Sequence, residues 1–400
     1  AFDFTSDTIT NVELVRGSAA DDTLTVGTVD SGTSFDLLGQ AGNDSLTLTN
    51  TGGNTLTVSN AESITGANGN DTITLGDGGQ TTDIKDIETV VGGSGDDLIV
   101  TLVSSTGGGI DALDSVDGKG GNDTLTLEGG TNTLSVTNVE NVNGRAVADT
   151  INLTNAQSGT TIDGQAATDI LNLQFSGNTV STANIETVNG SAGDDIITTI
   201  IAGTGGGIES LDGGDGNDTL TLADGVNTVT VTNTETINGG TGGDVVTSTT
   251  NFTSTDTVDL GAGTDVLNLA TGNDTLFVKD AETIADIGGT DTITLADGGQ
   301  ITTVSGIETI IGGTGNDAVT AGTVFTTGDS VDLKAGDGDT LNLLSGTNTL
   351  SVTNVETVNG DASVGTQIVL ENTQSGTTFD FGTDTTDEIA LANGGNTVTI

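Results

Sequence analysis

Polar and apolar residues alternate along short segments of this chain, and clusters of Gly, Asn and Asp separate the segments. In Asp218-Thr-Leu-Thr-Leu222, the two leucines fall on one face of a strand and the two threonines on the other. β-branched Thr, Val and Ile favour extended structure, and no segment shows the apolar spacing of a helix. The pattern therefore predicts an all-β protein built from short, half-buried strands.

The segments recur along the chain. The Asp that opens a segment returns at steps of about 20–28 residues over most of the chain, a period typical of solenoids. It stands at positions 22, 44, 71, 97, 123, 149, 169, 195, 218, 244, 265, 291, 317, 339 and 387. A Glu marks a longer unit that is about 48 residues in most cases, and a half unit of 26 residues appears twice. This Glu stands at positions 13, 62, 88, 140, 186, 235, 282, 308 and 356. We expect a parallel β-solenoid (a β-helix or β-roll) with coils of about 24 residues.

One coil is predicted to run over residues 218–240 with three strands, at 218–222, 227–231 and 235–237. Its inward side chains would be Leu220, Leu222, Val229, Val231 and Ile237. A single coil cannot bury its apolar face, but stacked coils share one continuous core.

A longer repeat overlies the coils. The segments 131–140 and 347–356 are identical, and 70–75 closely resembles 290–295. We expect residues 1–400 to form one continuous solenoid with an internal super-repeat of about 216–220 residues.

Asn precedes the marking Glu by two residues in six of the nine units, at Asn11, Asn60, Asn138, Asn184, Asn233 and Asn354. Two hypotheses cover these residues. Stacked coils would superimpose the amides in a hydrogen-bonded ladder. Alternatively, Asn serves the turn because it tolerates left-handed backbone geometry.

Charge limits the partners. The chain has 57 acidic and six basic residues and a formal net charge of −51. Phosphate binding needs clustered Lys and Arg, so nucleic acid is excluded and cations are the expected partners. We find no apolar run of about 18 residues and expect no membrane insertion.

The turn Gly-Gly-x-Gly-x-Asp-x-hydrophobic resembles that of the RTX family of secreted calcium-binding proteins. Full matches occur at residues 92–100, 213–221, 239–247 and 312–320, and partial matches at 39–46, 66–74 and 190–198. The motif appears once per coil here, whereas the family repeats it every nine residues. The resemblance implies a β-roll with calcium between stacked turns, held by glycine carbonyls and the motif Asp, which corresponds to Asp97, Asp218, Asp244 and Asp317.

Electrostatics also favours calcium. Stacking would bring motif aspartates within the ~8 Å screening length of physiological salt, and Ca²⁺ prefers hard oxygen ligands. We therefore add Asp44, Asp71, Asp123 and Asp195 as candidate ligands; the alternative is that Asp merely suits turns. A second series shortly precedes the Gly-rich turns, at Asp36, Asp117, Asp163, Asp212, Asp259, Asp332 and Asp380. Asp212 and Asp259 represent it among the candidate ligands, with ordinary turn chemistry as the equal alternative.

These observations predict a structural protein and not an enzyme: a calcium-stabilised rod of a bacterial surface layer, filament or adhesin stalk. The RTX resemblance implies type I secretion from a Gram-negative cell to its exterior. We also expect head-to-tail or lateral self-association, because uncapped solenoid ends offer unpaired strand edges.

Two other functions stay open. Outward Thr pairs, such as Thr72 with Thr74, could form an ice- or surface-binding array, although Thr is also an ordinary strand residue. Some β-helical proteins modify acidic polysaccharides. This chain, however, lacks His, Tyr and Cys, and no carboxylate pair stands out from the repeat.

Overall fold

The computed structural model describes residues 2–4, 11–37, 42–102, 113–127, 130–175, 177–202, 207–361, 366–373, 375–381 and 387–400. The chain divides into two compact units. Unit 1 comprises residues 1–201 and 205–208, and unit 2 comprises residues 202–204 and 209–400. The prediction of one continuous solenoid over residues 1–400 stays a prediction.

Unit 1 contains 21 strands among the residues that the structure describes. In chain order they are β1 (Phe2–Phe4), β2 (Leu14–Arg16), β3 (Thr23–Val26), β4 (Ser34–Asp36), β5 (Ser45–Leu48), β6 (Thr55–Ser59), β7 (Ser63–Thr65), β8 (Thr72–Leu75), β9 (Thr81–Lys85), β10 (Thr89–Val91), β11 (Leu98–Thr101), β12 (Ser115–Asp117), β13 (Thr124–Thr126), β14 (Thr133–Thr137), β15 (Asn141–Asn143), β16 (Thr150–Leu153), β17 (Ser158–Asp163), β18 (Ile170–Leu173), β19 (Thr179–Ala183), β20 (Thr187–Ala192) and β21 (Ile196–Thr199).

Unit 2 contains another 21 strands over its described residues. They are β22 (Ser210–Asp215), β23 (Thr219–Thr221), β24 (Thr228–Thr232), β25 (Thr236–Thr241), β26 (Val245–Ser248), β27 (Thr257–Ala262), β28 (Val266–Asn268), β29 (Thr275–Lys279), β30 (Thr283–Ala285), β31 (Thr292–Leu295), β32 (Ile301–Ser305), β33 (Thr309–Ile311), β34 (Ala318–Ala321), β35 (Asp329–Asp332), β36 (Thr340–Asn342), β37 (Gly346–Thr353), β38 (Thr357–Asn359), β39 (Thr366–Leu370), β40 (Ser375–Asp380), β41 (Glu388–Ala390) and β42 (Thr397–Thr399).

Each unit is a parallel β-solenoid with two sheets. Within a unit every strand pairs in parallel with the strand two places further along the chain, so one sheet holds the odd-numbered strands and the other the even-numbered strands. Thr55 pairs with Thr72 in a short coil, and Leu98 pairs with Thr124 in a long one. The predicted fold class is confirmed, with coils of about 20 residues, close to the expected size.

The expected three-strand coil over residues 218–240 is wrong. Thr219 pairs directly with Thr236 and Thr221 with Asn238, a step of 17 residues. The third strand predicted at 235–237 is therefore the start of β25 and belongs to the next coil. All Thr/Val segments have similar sequences, so the sequence does not show which segments stack on one another. The predicted coil was therefore longer than the observed one.

The core is a single apolar layer between the two sheets of each unit. All five inward residues predicted for residues 218–240 are buried; Leu220 of β23 stacks on Ile237 of β25, and both are 0% exposed. Full burial of such a side chain stabilises the fold by about 1.5–3 kcal/mol. Each coil adds a few such contacts, so stability accumulates by stacking.

Membrane-spanning helices are absent from the part of the chain that the structure describes: it has no helix that combines the length and the apolar character needed to cross a bilayer.

Candidate calcium-binding turns

The motif aspartates lie directly before a strand, and their side chains point into the stack. The eight candidates from the motif series, Asp44, Asp71, Asp97, Asp123, Asp195, Asp218, Asp244 and Asp317, are at most 2% exposed. Ionised carboxylates are seldom buried this completely without partners that compensate for lost hydration. The hydrogen-bond partners of these carboxylates therefore determine whether the turns can bind a cation.

The first carboxylate oxygen joins adjacent coils. Oδ1 of Asp97 accepts the N–H of Gln80 at 2.7 Å, and Oδ1 of Asp123 accepts the N–H of Asp97 at 2.7 Å. In unit 2, Oδ1 of Asp244 accepts the N–H of Asn227 at 2.9 Å. The same position in successive coils is thus connected by bonds from a main-chain donor to a charged acceptor, which are stronger than neutral ones.

The Glu of the longer repeat unit, called the marking Glu, accepts the last main-chain N–H in each series of these bonds. The sequence analysis did not predict this role. Oε2 of Glu140 accepts the N–H of Asp123 at 2.7 Å, and Oε2 of Glu235 accepts the N–H of Asp218 at 2.8 Å. In both cases the Glu follows the motif Asp by 17 residues. This spacing, which is 18 residues for Asp44 and Glu62, is visible in the sequence and could have revealed the pairing.

The motif aspartates do not lie in one column along the stack. Asp97 and Asp123 precede β11 and β13, which are neighbours in one sheet, so these two carboxylates do lie in adjacent coils. Asp71, in contrast, precedes β8 of the other sheet. In unit 2, Asp218 and Asp244 precede β23 and β26, which lie in different sheets. Each unit therefore has two acidic columns, interrupted by Asn, Gln and Glu.

The second carboxylate oxygen has one of two environments. In several turns Oδ2 accepts the N–H four residues earlier, as between Asp97 and Gly93 at 3.0 Å or Asp317 and Gly313 at 3.1 Å. Asp71, Asp195 and Asp244 follow this pattern. In other turns Oδ2 is buried and has no hydrogen-bond partner among the described residues; such atoms belong to Asp44, Asp123, Asp149, Asp169, Asp265, Asp274, Asp291, Asp339 and Asp387.

The first glycine of the motif makes room for oxygen atoms. A Cβ placed on Gly118 would overlap the carbonyl oxygen of Asn138 and Oδ2 of Asp123. Gly312 has the same surroundings: its Cβ would meet the carbonyl oxygen of Leu333 at 2.5 Å and Oδ2 of Asp317 at 2.6 Å. A side chain would collide with both oxygens. The turn therefore brings together a carboxylate and a carbonyl of the next coil, two hard oxygen donors of the kind that Ca²⁺ uses.

Burial and neighbouring carboxylates disfavour the ionised form of two of these aspartates. Burial raises the pKa of Asp123 to about 6, and the neighbouring charges of Asp97 and Glu140 contribute to the rise. Burial likewise raises the pKa of Asp169 to about 6, with Asp149 and Glu186 adding to it. A cation beside these oxygens would favour the ionised form.

The donor set limits how calcium would be held. Within the described ranges, no three Asp or Glu side chains converge closely enough to enclose a metal ion. The turns therefore fit calcium only as a site of one or two carboxylates completed by main-chain carbonyls, as Ca²⁺ coordination permits. Asp123 and Asp44, with their unpaired Oδ2 atoms, fit best; Asp97 and Asp317 already use both oxygens for N–H groups.

The second Asp series lies at a different corner and binds protein groups. Asp117 accepts the Nδ2–H of Asn138 at 2.8 Å and pairs with Lys119 Nζ at 2.7 Å. Burial raises its pKa, but these bonds outweigh it, and the net pKa of Asp117 is lowered. The two candidates from this series, Asp212 and Asp259, bind Asn233 at 3.0 Å and Lys279 Nζ at 2.8 Å, respectively. Their assignment as calcium ligands stays a prediction.

The Asn residues before the marking Glu adopt left-handed geometry. Asn60, Asn138 and Asn233 have φ of 58°, 48° and 46°, and the other three behave alike. The turn hypothesis is confirmed. Their amides do not bond one another in a ladder; five of them donate to a carboxylate of the second Asp series.

The outward Thr pairs form only partial arrays. Thr72 and Thr74 of β8 align with the Thr pair of β6, but the next coil continues the two rows with Thr89 and Val91. This face of the sheet is therefore not a uniform Thr surface.

Comparison with known families supports the assignment of these turns. A family model described as RTX calcium-binding nonapeptide repeat (4 copies) matches residues 57–79, 108–136, 181–199, 203–233, 253–276 and 302–323. No curated protein and no solved structure matches the chain significantly. The fold and turns thus define a parallel β-solenoid with repeats of the calcium-binding kind. The chain therefore carries RTX-type repeats over the matched residues.

Proposed function

We propose that this chain is a calcium-stabilised structural rod of an extracellular bacterial surface protein, such as a surface layer, filament or adhesin stalk. The observation that carries the proposal is the set of buried Asp Oδ2 atoms without hydrogen-bond partners, which stand beside main-chain carbonyls in RTX-type turns. Calcium would supply the positive charge that the six basic residues do not.

A structural role is supported by how the chain uses its chemistry. Motif aspartates and marking glutamates serve as acceptors for main-chain N–H groups between coils, and the second Asp series binds Asn and Lys at corners. These bonds hold one coil on the next. We propose no catalytic role, and we keep self-association through solenoid edges or sides as part of the proposal.

We propose that the protein acts outside the cell. RTX repeats are typical of proteins secreted by Gram-negative bacteria, and calcium outside the cell would favour the folded state by binding it preferentially. In the unfolded chain, 57 acidic residues repel one another and have no stacked turns in which to bind calcium.

The test is far-UV circular dichroism of the purified chain after EDTA treatment, followed by titration with CaCl₂. We expect the β-signal and the thermal midpoint to rise with calcium, and elemental analysis to find bound calcium. MgCl₂ at the same ionic strength is the control for charge screening. A spectrum and a midpoint that calcium leaves unchanged in metal-free protein would contradict the proposal.

A further inference from the structure

One strand of unit 2 presents an aromatic ring to solvent. Along β29, Leu276 and Val278 are buried, whereas Phe277 and Lys279 are exposed. Phe277 is 48% exposed. Four other Phe side chains are core residues with at most 5% exposure: Phe35, Phe252, Phe325 and Phe379. The ring of Phe277, in contrast, adds little to the core and stands on the outer face of its sheet.

The ring departs from the repeat. Phe277 lies five residues before the marking Glu of its unit, and in the other eight units this position has a hydroxyl or a carboxylate. The residues there are Thr8, Thr57, Asp83, Ser135, Ser181, Thr230, Thr303 and Ser351. The super-repeat counterparts of Phe277 and Lys279 are Thr57 and Ser59. Residues that break a repeat without a gain for the core are expected at functional sites.

Hydroxyl groups flank the ring on both sides. Phe277 is in register with Thr257 of β27 and with Thr294 of β31. These three residues occupy outward positions of adjacent strands. Neighbouring strands lie about 4.8 Å apart, so both threonines stand at the edge of the ring. The ring and the two hydroxyl groups therefore form one continuous patch.

An ion pair borders the patch on a third side. Lys279, two residues further along β29, is in register with Asp259 of β27, and its Nζ lies 2.8 Å from Oδ2 of Asp259. Lys279 Nζ also pairs with Oδ2 of Asp280 at 3.1 Å. The side chains of Lys279 and Asp259 are 47% and 40% exposed, so a ligand on the patch can reach both. The pair fixes a charged donor and a charged acceptor about 6.6 Å from the ring, which is two residues along a strand.

We propose that this patch, Phe277 with Thr257, Thr294, Lys279 and Asp259, binds a neutral polysaccharide. A sugar ring has an apolar C–H face, which packs on an aromatic ring, and hydroxyl groups at its edge, which bond to hydroxyl, ammonium and carboxylate groups. The spacings of about 4.8 Å and about 6.6 Å between these side chains are close to the width of one sugar ring. The inference adds a binding activity to the proposed structural role.

Charge and area favour this ligand over others. A chain with a formal net charge of −51 repels acidic polysaccharides. A stable protein interface buries about 800 Å² on each partner around a cluster of apolar anchors, whereas the neighbours of Phe277 in register are both Thr. A single ring among polar groups suits a ligand that is mostly polar and has one apolar face.

The test is affinity electrophoresis of the full chain in native gels that contain CaCl₂ and one neutral polysaccharide: hydroxyethyl cellulose, galactomannan or laminarin. Phe277→Thr gives the patch a residue found in equivalent segments, and Phe277→Tyr keeps the ring. Phe175→Thr is the matched control, because Phe175 is also exposed, at 54%, and lies in unit 1. Circular dichroism checks the folding of each variant, and sedimentation velocity without polysaccharide records its state of association.

We expect at least one of these polysaccharides to retard the unmodified chain, Phe175→Thr and Phe277→Tyr, with an affinity about tenfold lower for Phe277→Thr. Equal retardation of Phe277→Thr and the unmodified chain would overturn the inference, as would free migration of the unmodified chain in every gel. A changed sedimentation coefficient in Phe277→Thr alone would identify the ring as a contact between copies of the chain and overturn it as well. These outcomes leave the calcium-stabilised structural role intact, because the calcium titration tests that role separately.

Discussion

Replacement of Asp97 separates the structural role of a motif carboxylate from its role toward calcium. The side chain accepts hydrogen bonds from two main-chain donors, the buried N–H of Gln80 through Oδ1 and the partly buried N–H of Gly93 through Oδ2. Asp97→Ala leaves both without an acceptor. An unsatisfied buried donor costs about 1–3 kcal/mol, so the variant should lose at least about 1–3 kcal/mol in the free energy of unfolding, even in EGTA. Asp97→Asn keeps one acceptor oxygen and should lose about half as much.

The assay is urea denaturation followed by circular dichroism, in EGTA and in calcium. Native-state hydrogen exchange at Gln80 and Gly93 locates the effect. Asp96→Asn is the control, because Asp96 is exposed and its replacement removes the same charge from the adjacent position. If Asp97→Ala unfolds in EGTA at the same urea concentration as the control, the carboxylate does not hold the coils together. If calcium stabilises Asp97→Asn as much as it stabilises the unmodified chain, Asp97 is not a calcium ligand.

Three further predictions use other parts of the fold. Gly118→Ala should destabilise the protein strongly, because the new Cβ meets a carbonyl and a carboxylate oxygen; a thermal midpoint equal to that of the unmodified chain would contradict the packing. Ile237→Ala should reduce the free energy of unfolding by about 2–5 kcal/mol, measured by urea denaturation, since Ile237 is 0% exposed; a loss below about 1 kcal/mol would place it outside the core. The pKa values of Asp123 and Asp169 are raised to about 6 in the folded state, so between about pH 4 and pH 6 the folded chain holds more protons than the unfolded chain. The free energy of unfolding in EGTA should therefore fall as the pH rises over this range. Urea midpoints that rise instead would contradict the burial of both groups.

Most of the fold could be predicted from the sequence. The alternation in Asp218-Thr-Leu-Thr-Leu222 indicated which side chains point inward, and Leu220 and Leu222 are buried as predicted. The alternation did not reveal the number of residues in a coil, because strands of both sheets share one Thr/Leu pattern. Only the pairing of β23 with β25, Thr219 with Thr236 and Thr221 with Asn238, shows that these successive coils begin 17 residues apart.

The candidate site was predictable in kind but not in arrangement. The motif identified the buried aspartates, but identical motifs precede strands of both sheets, as for Asp218 and Asp244, so the motif did not show that the aspartates lie in two columns. The role of the marking glutamates was encoded in their spacing from the motif Asp and was overlooked.

The central claim is that calcium neutralises buried carboxylates between stacked coils. Anomalous diffraction from crystals grown in calcium tests it most directly, because it locates the ions without reference to the protein atoms. We predict anomalous peaks about 2.3–2.6 Å from turn carboxylate oxygens such as Oδ2 of Asp123. An intact solenoid whose turn aspartates have no anomalous peak beside them would contradict the account.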